Sequence, residues 1–127
     1  MMDIVIECER IGRVQAQLDP GLAPATVEAI GRALPLEAHA ERWGDEVYFA
    51  TAVHAEEENA VEVVAAGDLG YWPPGRALCI FFGPTPASRH PQEIRPASAV
   101  NPIGRVVGDP RAFARVHKGD RIIVRTA

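Results

Sequence analysis

Tyr71, Trp72, Phe81 and Phe82 fall within Gly70–Pro86, which reads Gly-Tyr-Trp-Pro-Pro-Gly-Arg-Ala-Leu-Cys-Ile-Phe-Phe-Gly-Pro-Thr-Pro. Proline fixes φ and glycine admits φ > 0, so this segment holds large rings at set angles around a short strand. Aromatic rings held by stiff corners can wall a pocket for an apolar or prolyl ligand; they can also plug the end of a small barrel. Read as a pocket, the chain offers Tyr48, Trp72 and Phe82, with Phe81 beside them, as walls. Glu46, Thr85 and Asn101 are its orienting polar contacts, and Arg42 is the nearest cation in sequence, with Arg76 as a second. Each residue also has a purely structural alternative. Trp72 serves as a barrel plug, Glu46 faces solvent on an edge strand, and Asn101 before Pro102 is a turn residue. Phe81 and Phe82 are adjacent, so at least one of them faces the core.

Hydrolytic chemistry finds no support, because Ser88 and Ser98 lie in loops without a histidine and carboxylate partner. His39, His54, His90 and His117 are scattered and show no metal-ligand spacing. They read as surface residues, and neither a metal nor a cofactor is expected. Cys8 and Cys79 sit in apolar, strand-like runs and read as buried thiols of a reduced compartment.

At 127 residues the chain has the length of one domain, expected to span 1–127. Its formal net charge of −4, with no lysine or arginine block, argues against a nucleic-acid partner. No apolar run approaches the ~20 residues of a membrane span, and Met1–Arg10 lacks the layout of a signal peptide. A cytoplasmic location without membrane contact is the resulting expectation.

The elements that must position these residues are mostly short strands. Asp3–Cys8 and Arg13–Leu18 form a hairpin; Val14, Ala16 and Leu18 alternate with Arg13, Gln15 and Gln17. Pro24 opens a helix over Ala23–Leu34 with Val27, Ile30 and Leu34 on one stripe, and Pro35 stops it. Leu36–Arg42 and Glu46–Val53 read as strands joined around Gly44–Asp45. In the second, Val47 and Phe49 point one way and Glu46 and Tyr48 the other. Glu56–Glu58 is a solvated acidic turn and Glu62–Ala66 a further strand. Ala77–Phe82 is apolar throughout, as a strand buried on both sides requires. Gly83–Pro96 is a long surface loop. Ile103–Val107 and Arg121–Arg125 are strands, separated by a short helix opened by Asp109 and Pro110, with Phe113 and Val116 facing inward. Many short strands without strand–helix alternation predict a mainly β, closed antiparallel barrel of about eight strands, with two short helices capping its ends.

This order of elements resembles the cyclophilins, and more closely the compact cyclophilin-like proteins of prokaryotes. The resemblance rests on Trp43-Gly-Asp-Glu-Val-Tyr-Phe49, on Gly67–Pro86, and on Ala97-Ser-Ala-Val-Asn-Pro-Ile-Gly-Arg105; Ala23-Pro-Ala-Thr-Val-Glu28 adds a weaker match at the helix start. It implies an eight-stranded barrel, with Phe81 or Phe82 at the place of the family's proline-pocket phenylalanine. Conventional cyclophilins are peptidyl-prolyl isomerases that carry Phe-His-Arg on a strand. Here Glu46-Val-Tyr-Phe49 stands in its place, Val53–Asn59 replaces the Gln-Gly-Gly-Asp passage that follows, and Arg42 does not match the motif. A useful isomerase needs roughly 10⁵-fold acceleration, or about 7 kcal/mol. An apolar slot adds little to kcat, since planar and twisted amides bind it almost alike. A binding protein for a small molecule or a proline-containing peptide is therefore expected ahead of a weak or atypical isomerase. A homodimer, or a subunit of a larger enzyme or regulatory assembly, is the fold-level alternative.

Overall fold

The computed structural model describes residues 1–127. β1 (Met2–Cys8) and β2 (Gly12–Leu18) form the expected hairpin, in register from Met2 opposite Leu18 to Cys8 opposite Gly12. Their inward residues Ile4, Ile6, Ala16 and Leu18 are buried. The chain then enters α1 (Pro24–Ala33), with proline in its first turn. Ala23 has no side chain able to cap the free N–H groups. The distant Glu58 caps them instead, accepting from Ala25 N (3.1 Å), Thr26 N (2.9 Å) and Thr26 Oγ1 (2.8 Å). These hydrogen bonds, those from Thr26 first, hold the Glu58 carboxyl below its usual range. The acidic turn is thus part of the helix start as well as a solvated loop.

β3 (Leu36–His39) and β4 (Glu41–Arg42) replace the single strand expected over Leu36–Arg42. The break falls at the fully buried Ala40, whose backbone pairs instead with the turn near the C-terminus. Its N–H donates to Asp120 O and its carbonyl accepts from Gly119 N, both at 2.7 Å. β5 (Glu46–Ala50), β6 (Asp68–Trp72), β7 (Ala77–Phe81), β8 (Asn101–Val106) and β9 (Arg121–Thr126) complete a nine-stranded sheet. The order is β3-β9-β1-β2-β8-β6-β7-β5-β4, and every pairing is antiparallel. Its two edge strands, β3 and β4, are joined through Ala40 alone, so the sheet curls into a nearly closed barrel. At Gly104 an added Cβ would lie 1.9 Å from Gln17 O, a gap between β2 and β8 that admits only glycine.

Two apolar clusters result. The larger fills the barrel with Ile4, Ile6, Leu18, Val47, Phe49, Leu69, Tyr71, Leu78, Ile80 and Ile103, together with Val27 and Ile30 of α1. The smaller, Ala77, Cys79, Phe81, Ile94 and Val100, lies on the other face of β7. The expectation of a strand buried on both sides is met, since all five β7 residues are buried.

Three expectations are corrected. Glu62–Ala66 is not a strand; it contributes only the isolated bridge of Val64 with Ile94, next to that of Val61 with Val100. β6, central in the sheet, was hidden behind the turn-forming residues Gly67, Gly70, Pro73 and Pro74. The second helix is a 3₁₀ segment, Pro110–Arg115, so one α-helix and short 3₁₀ turns accompany the barrel. Asp109 does cap it, accepting from Arg111 N at 2.9 Å, and Phe113 and Val116 are buried. Cys8 and Cys79 are buried free thiols and all four histidines are exposed. No helix is long and apolar enough to cross a membrane.

Two buried polar side chains hold the irregular segment after β5 against this frame. Tyr71 is fully buried; its hydroxyl donates to Val53 O (2.6 Å) and accepts from Ala55 N (3.2 Å). Asn101, also fully buried, donates to Thr26 Oγ1 (3.0 Å) and Glu56 O (2.9 Å) and accepts from Glu58 N (2.8 Å). Asn101→Ala orphans Glu56 O and Glu58 N, leaves Thr26 Oγ1 with its bond to Glu58 alone, and should cost about 2–4 kcal/mol in denaturant unfolding, whereas Tyr71→Phe should cost about 1–2 kcal/mol. Equal, near-zero losses for both would show that this segment is not held as described.

Candidate functional site

The face of β5 turned away from the barrel interior carries Glu46 and Tyr48, as the alternation with Val47 and Phe49 predicts. Antiparallel pairing sets Tyr48 opposite Cys79 and Glu46 opposite Phe81, while β6 brings Trp72 opposite Ala77 on the far side of β7. Trp43 precedes the Gly44–Asp45 turn, with its N–H donating to Glu46 O at 3.0 Å. The loop after β7 closes over this face. Trp43, Glu46, Tyr48, Trp72, Cys79, Pro96, Ala97 and Val100 together line an open-mouthed cavity of about 210 Å³. That is below the ~300–1,000 Å³ typical of drug-sized ligands. It has room for one ring or one side chain.

The covering loop is built from its own polar network. Thr85 Oγ1 donates to Arg95 O and accepts from Ala87 N (3.2 Å). Ser88 Oγ accepts from Thr85 N (2.9 Å) and Arg95 N (3.2 Å). Arg95 in turn pairs with Glu93 at 3.1 Å and Glu62 at 3.7 Å. Trp72 is tied to the loop by its Nε1, which donates to Ser98 Oγ at 2.7 Å. At Gly70 an added Cβ would lie 2.9 Å from Val100 Cγ2, so glycine lets this wall of the recess approach β6.

Of the residues singled out from the sequence, the structure brings Glu46, Tyr48 and Trp72 together around the recess. The others are placed elsewhere. Phe82 lies in the barrel interior and Phe81 beneath the recess in the smaller cluster. Thr85 is occupied within the loop, and Asn101 holds the Glu56–Glu58 turn to α1. Arg42 stacks over the Phe82 ring at 5.1 Å from its centroid. Its guanidinium donates to the carbonyls of Gly44 (2.9 and 3.2 Å), Ala114 (3.1 Å) and Val116 (2.8 Å). Arg42 is therefore a structural brace. Arg76 is exposed and does not line the recess. The solvent-facing alternative for Glu46 is overturned, because only 6% of the residue is exposed.

Trp43, Cys79, Pro96, Ala97 and Val100 escape the sequence reading as recess residues. Period-two alternation could have found Cys79 once β5 and β7 were paired. No local signal marks the loop residues.

Glu46 is the electrostatic centre of the recess. No protein group makes an ion pair or a well-formed hydrogen bond with its carboxylate, and no arginine or lysine lines the cavity. Burial raises its pKa to about 7, the neighbouring Cys79 thiol pulling weakly the other way. Burial, and then the charge of Glu46, pushes the Cys79 thiol well above its ordinary value, so it stays protonated. Tyr48 is raised by burial and by Glu41 and Glu46. No three histidine, cysteine or acidic side chains converge anywhere in the chain as a metal ion would require.

The chain matches a family model described as Cyclophilin-like over residues 2–125. Its structure is similar to the solution structure of a hypothetical protein from Archaeoglobus fulgidus, with 45% sequence identity and a TM-score of 0.82. The alignment covers 99% of this chain and 95% of the archaeal one. Among curated proteins no match is found.

A measurable pH dependence follows from Glu46. Unfolding returns its pKa from about 7 to the ordinary 4.5, so the folded state holds a proton that the unfolded state has lost between these values. The stability contribution is whole below pH 4.5 and falls as pH rises through 7, by about 3 kcal/mol in all. Glu46→Gln removes this titration. The stability difference between the variant and the parent should swing toward the variant by about that amount between pH 4.5 and 8 in paired thermal melts. A difference that stays flat with pH would contradict the burial of an unpaired carboxyl.

Proposed function

The chain belongs to the cyclophilin-like family, and from that premise we propose that it is a binding protein with its ligand seated in the recess over β5 and β7. The ligand is a small molecule or a proline-containing peptide that places one ring or side chain against Trp43, Tyr48 and Trp72. The observation that carries this reading is the make-up of the recess: three aromatic residues and one buried carboxyl, without a cation. The aromatic rings supply apolar contact area, and Glu46 fixes orientation.

Prolyl isomerisation is the weaker reading. Its barrier of about 18–20 kcal/mol falls when a donor favours the twisted amide over the planar one. The guanidinium that does this in conventional cyclophilins has no counterpart in the recess, since Arg42 is committed to backbone carbonyls and to the Phe82 ring. One donor is left. Glu46, in its protonated form, can present an O–H to a prolyl nitrogen. A neutral hydrogen bond contributes about 0.5–1.5 kcal/mol net, or roughly tenfold in rate, against the ~10⁵-fold a useful isomerase needs. Any such activity would also fade as pH rises through 7.

A coupled isomerisation assay on short Ala-Pro peptides, run beside tryptophan emission titrations with the same peptides, separates the two. We expect acceleration no greater than about tenfold over the uncatalysed rate at equimolar enzyme. Ligands that enter the recess should shift the emission of Trp43 and Trp72, and Tyr48→Ala should weaken that binding about 5–30-fold, the effect of losing about 1–2 kcal/mol of aromatic contact. Turnover near that of conventional cyclophilins would overturn the ranking.

A further inference from the structure

We propose that the ligand taken by this recess is a protonated amine carrying a compact apolar group, a pyrrolidinium-sized cation, whose N–H groups donate to the Glu46 carboxylate while its carbon skeleton packs against Trp43, Tyr48 and Trp72. The inference rests on the recess being a binding site at all, and goes further by giving the ligand a charge.

Four observations converge on it. Glu46 is 6% exposed, yet no protein cation pairs with it, an unfavourable state for a carboxylate unless a partner arrives from outside. The walls are two tryptophans and a tyrosine, the side chains whose ring quadrupoles attract cations most strongly. The remaining lining residues, Pro96, Ala97, Val100 and the protonated Cys79, supply neither a positive charge to repel a cation nor a strong donor to satisfy the acid. Finally, a volume of about 210 Å³ has room for a five-membered ring, the rest of any larger ligand staying outside the open mouth.

An amine with N–H groups suits Glu46 better than a quaternary ammonium, because the only protein donor acting on the carboxylate is the weak Cys79 thiol. Other titratable and charged groups stand on the elements around Glu46. On β7 stands Cys79, on β5 Tyr48, and on β4 Glu41, which pairs with Lys118 at 3.8 Å. Asp45, in the turn before β5, lies 3.8 Å from Arg42. Cys79 and Tyr48 are both raised further from neutrality, so Glu46 is the recess group that changes charge near pH 7. A simple alkylamine, like lysine with its ordinary pKa near ~10.4, stays protonated throughout this range.

Pyrrolidine and its neutral isostere tetrahydrofuran provide the test. Each is titrated into the full-length protein while the indole N–H signals of Trp43 and Trp72 are followed by NMR, at pH 8 and at pH 5.5. Pyrrolidine should bind at pH 8 and lose about 30-fold in apparent affinity at pH 5.5, the ratio of ionised Glu46 at the two values for a pKa of about 7. Glu46→Gln should weaken pyrrolidine binding at pH 8 at least tenfold. A third arm, the dipeptide Pro-Ala with its amino group free or acetylated, tells a peptide amino terminus from a free amine as the source of the cation. Tetrahydrofuran binding as tightly as pyrrolidine at pH 8, or pyrrolidine affinity that is flat with pH, overturns the inference while the recess stands as a binding site. If neither ring moves the Trp43 and Trp72 signals at tens of millimolar, the binding reading fails with it.

Discussion

Strand β7 is apolar along its whole length, and a strand of that kind must be covered on both faces. Leu78 and Ile80 satisfy one face by closing the barrel interior against Val47, Phe49 and Leu69. The other face has no helix or second sheet to cover it. The long segment between β7 and β8 does so, with Ile94 and Val100 packed on Cys79 and Phe81. Cover by an irregular loop is less complete than cover by a regular element, because a loop must satisfy its own backbone polar groups. Thr85, Ser88 and Arg95 meet that need within the loop. Where the loop ends short of β5, the recess remains.

The same geometry explains the unusual state of Glu46. Its position on β5 is fixed by the barrel, because Val47 and Phe49 must point inward and period two sends Glu46 outward. Outward here means under a loop instead of into water. The cost of such burial is met in most proteins by a neighbouring arginine or lysine. Here the guanidinium nearest in sequence, Arg42, is held by four hydrogen bonds to backbone carbonyls and by the Phe82 ring. The carboxyl therefore responds by taking up a proton near neutrality. A proton in that place, or a ligand cation, are two answers to the same electrostatic problem.

Much of the barrel was legible in the sequence, because period-two alternation and turn residues are local signals. The β1–β2 hairpin, the start of α1 at Pro24, the two-sided burial of β7 and the outward face of β5 all follow from them. The sequence misleads where distant groups decide the outcome. Ala40 breaks a strand because the turn at Gly119–Asp120 takes its hydrogen bonds, and nothing near Ala40 says so. β6 reads as a corner because Gly67, Gly70 and the Pro73–Pro74 pair are strong turn residues, yet Gly70 is there to admit Val100. The recess is half legible for the same reason. Glu46, Tyr48 and Trp72 stand out by type, whereas Trp43, Pro96 and Ala97 reach it through the path of the loop. Asn101 and Thr85 look like ligand contacts by type, but their side chains are used up by backbone groups that local sequence cannot foresee.

The central claim is that a single carboxyl lies in an aromatic recess of a cyclophilin-like barrel with no protein cation to balance it. The most direct measurement is a site-specific carbon-13 NMR titration of the Glu46 side-chain carboxyl in the ligand-free protein. The account predicts a midpoint near pH 7. A midpoint at the ordinary glutamate value near 4.5, or below it, would mean that water or a cation already serves this carboxyl, and would contradict the account.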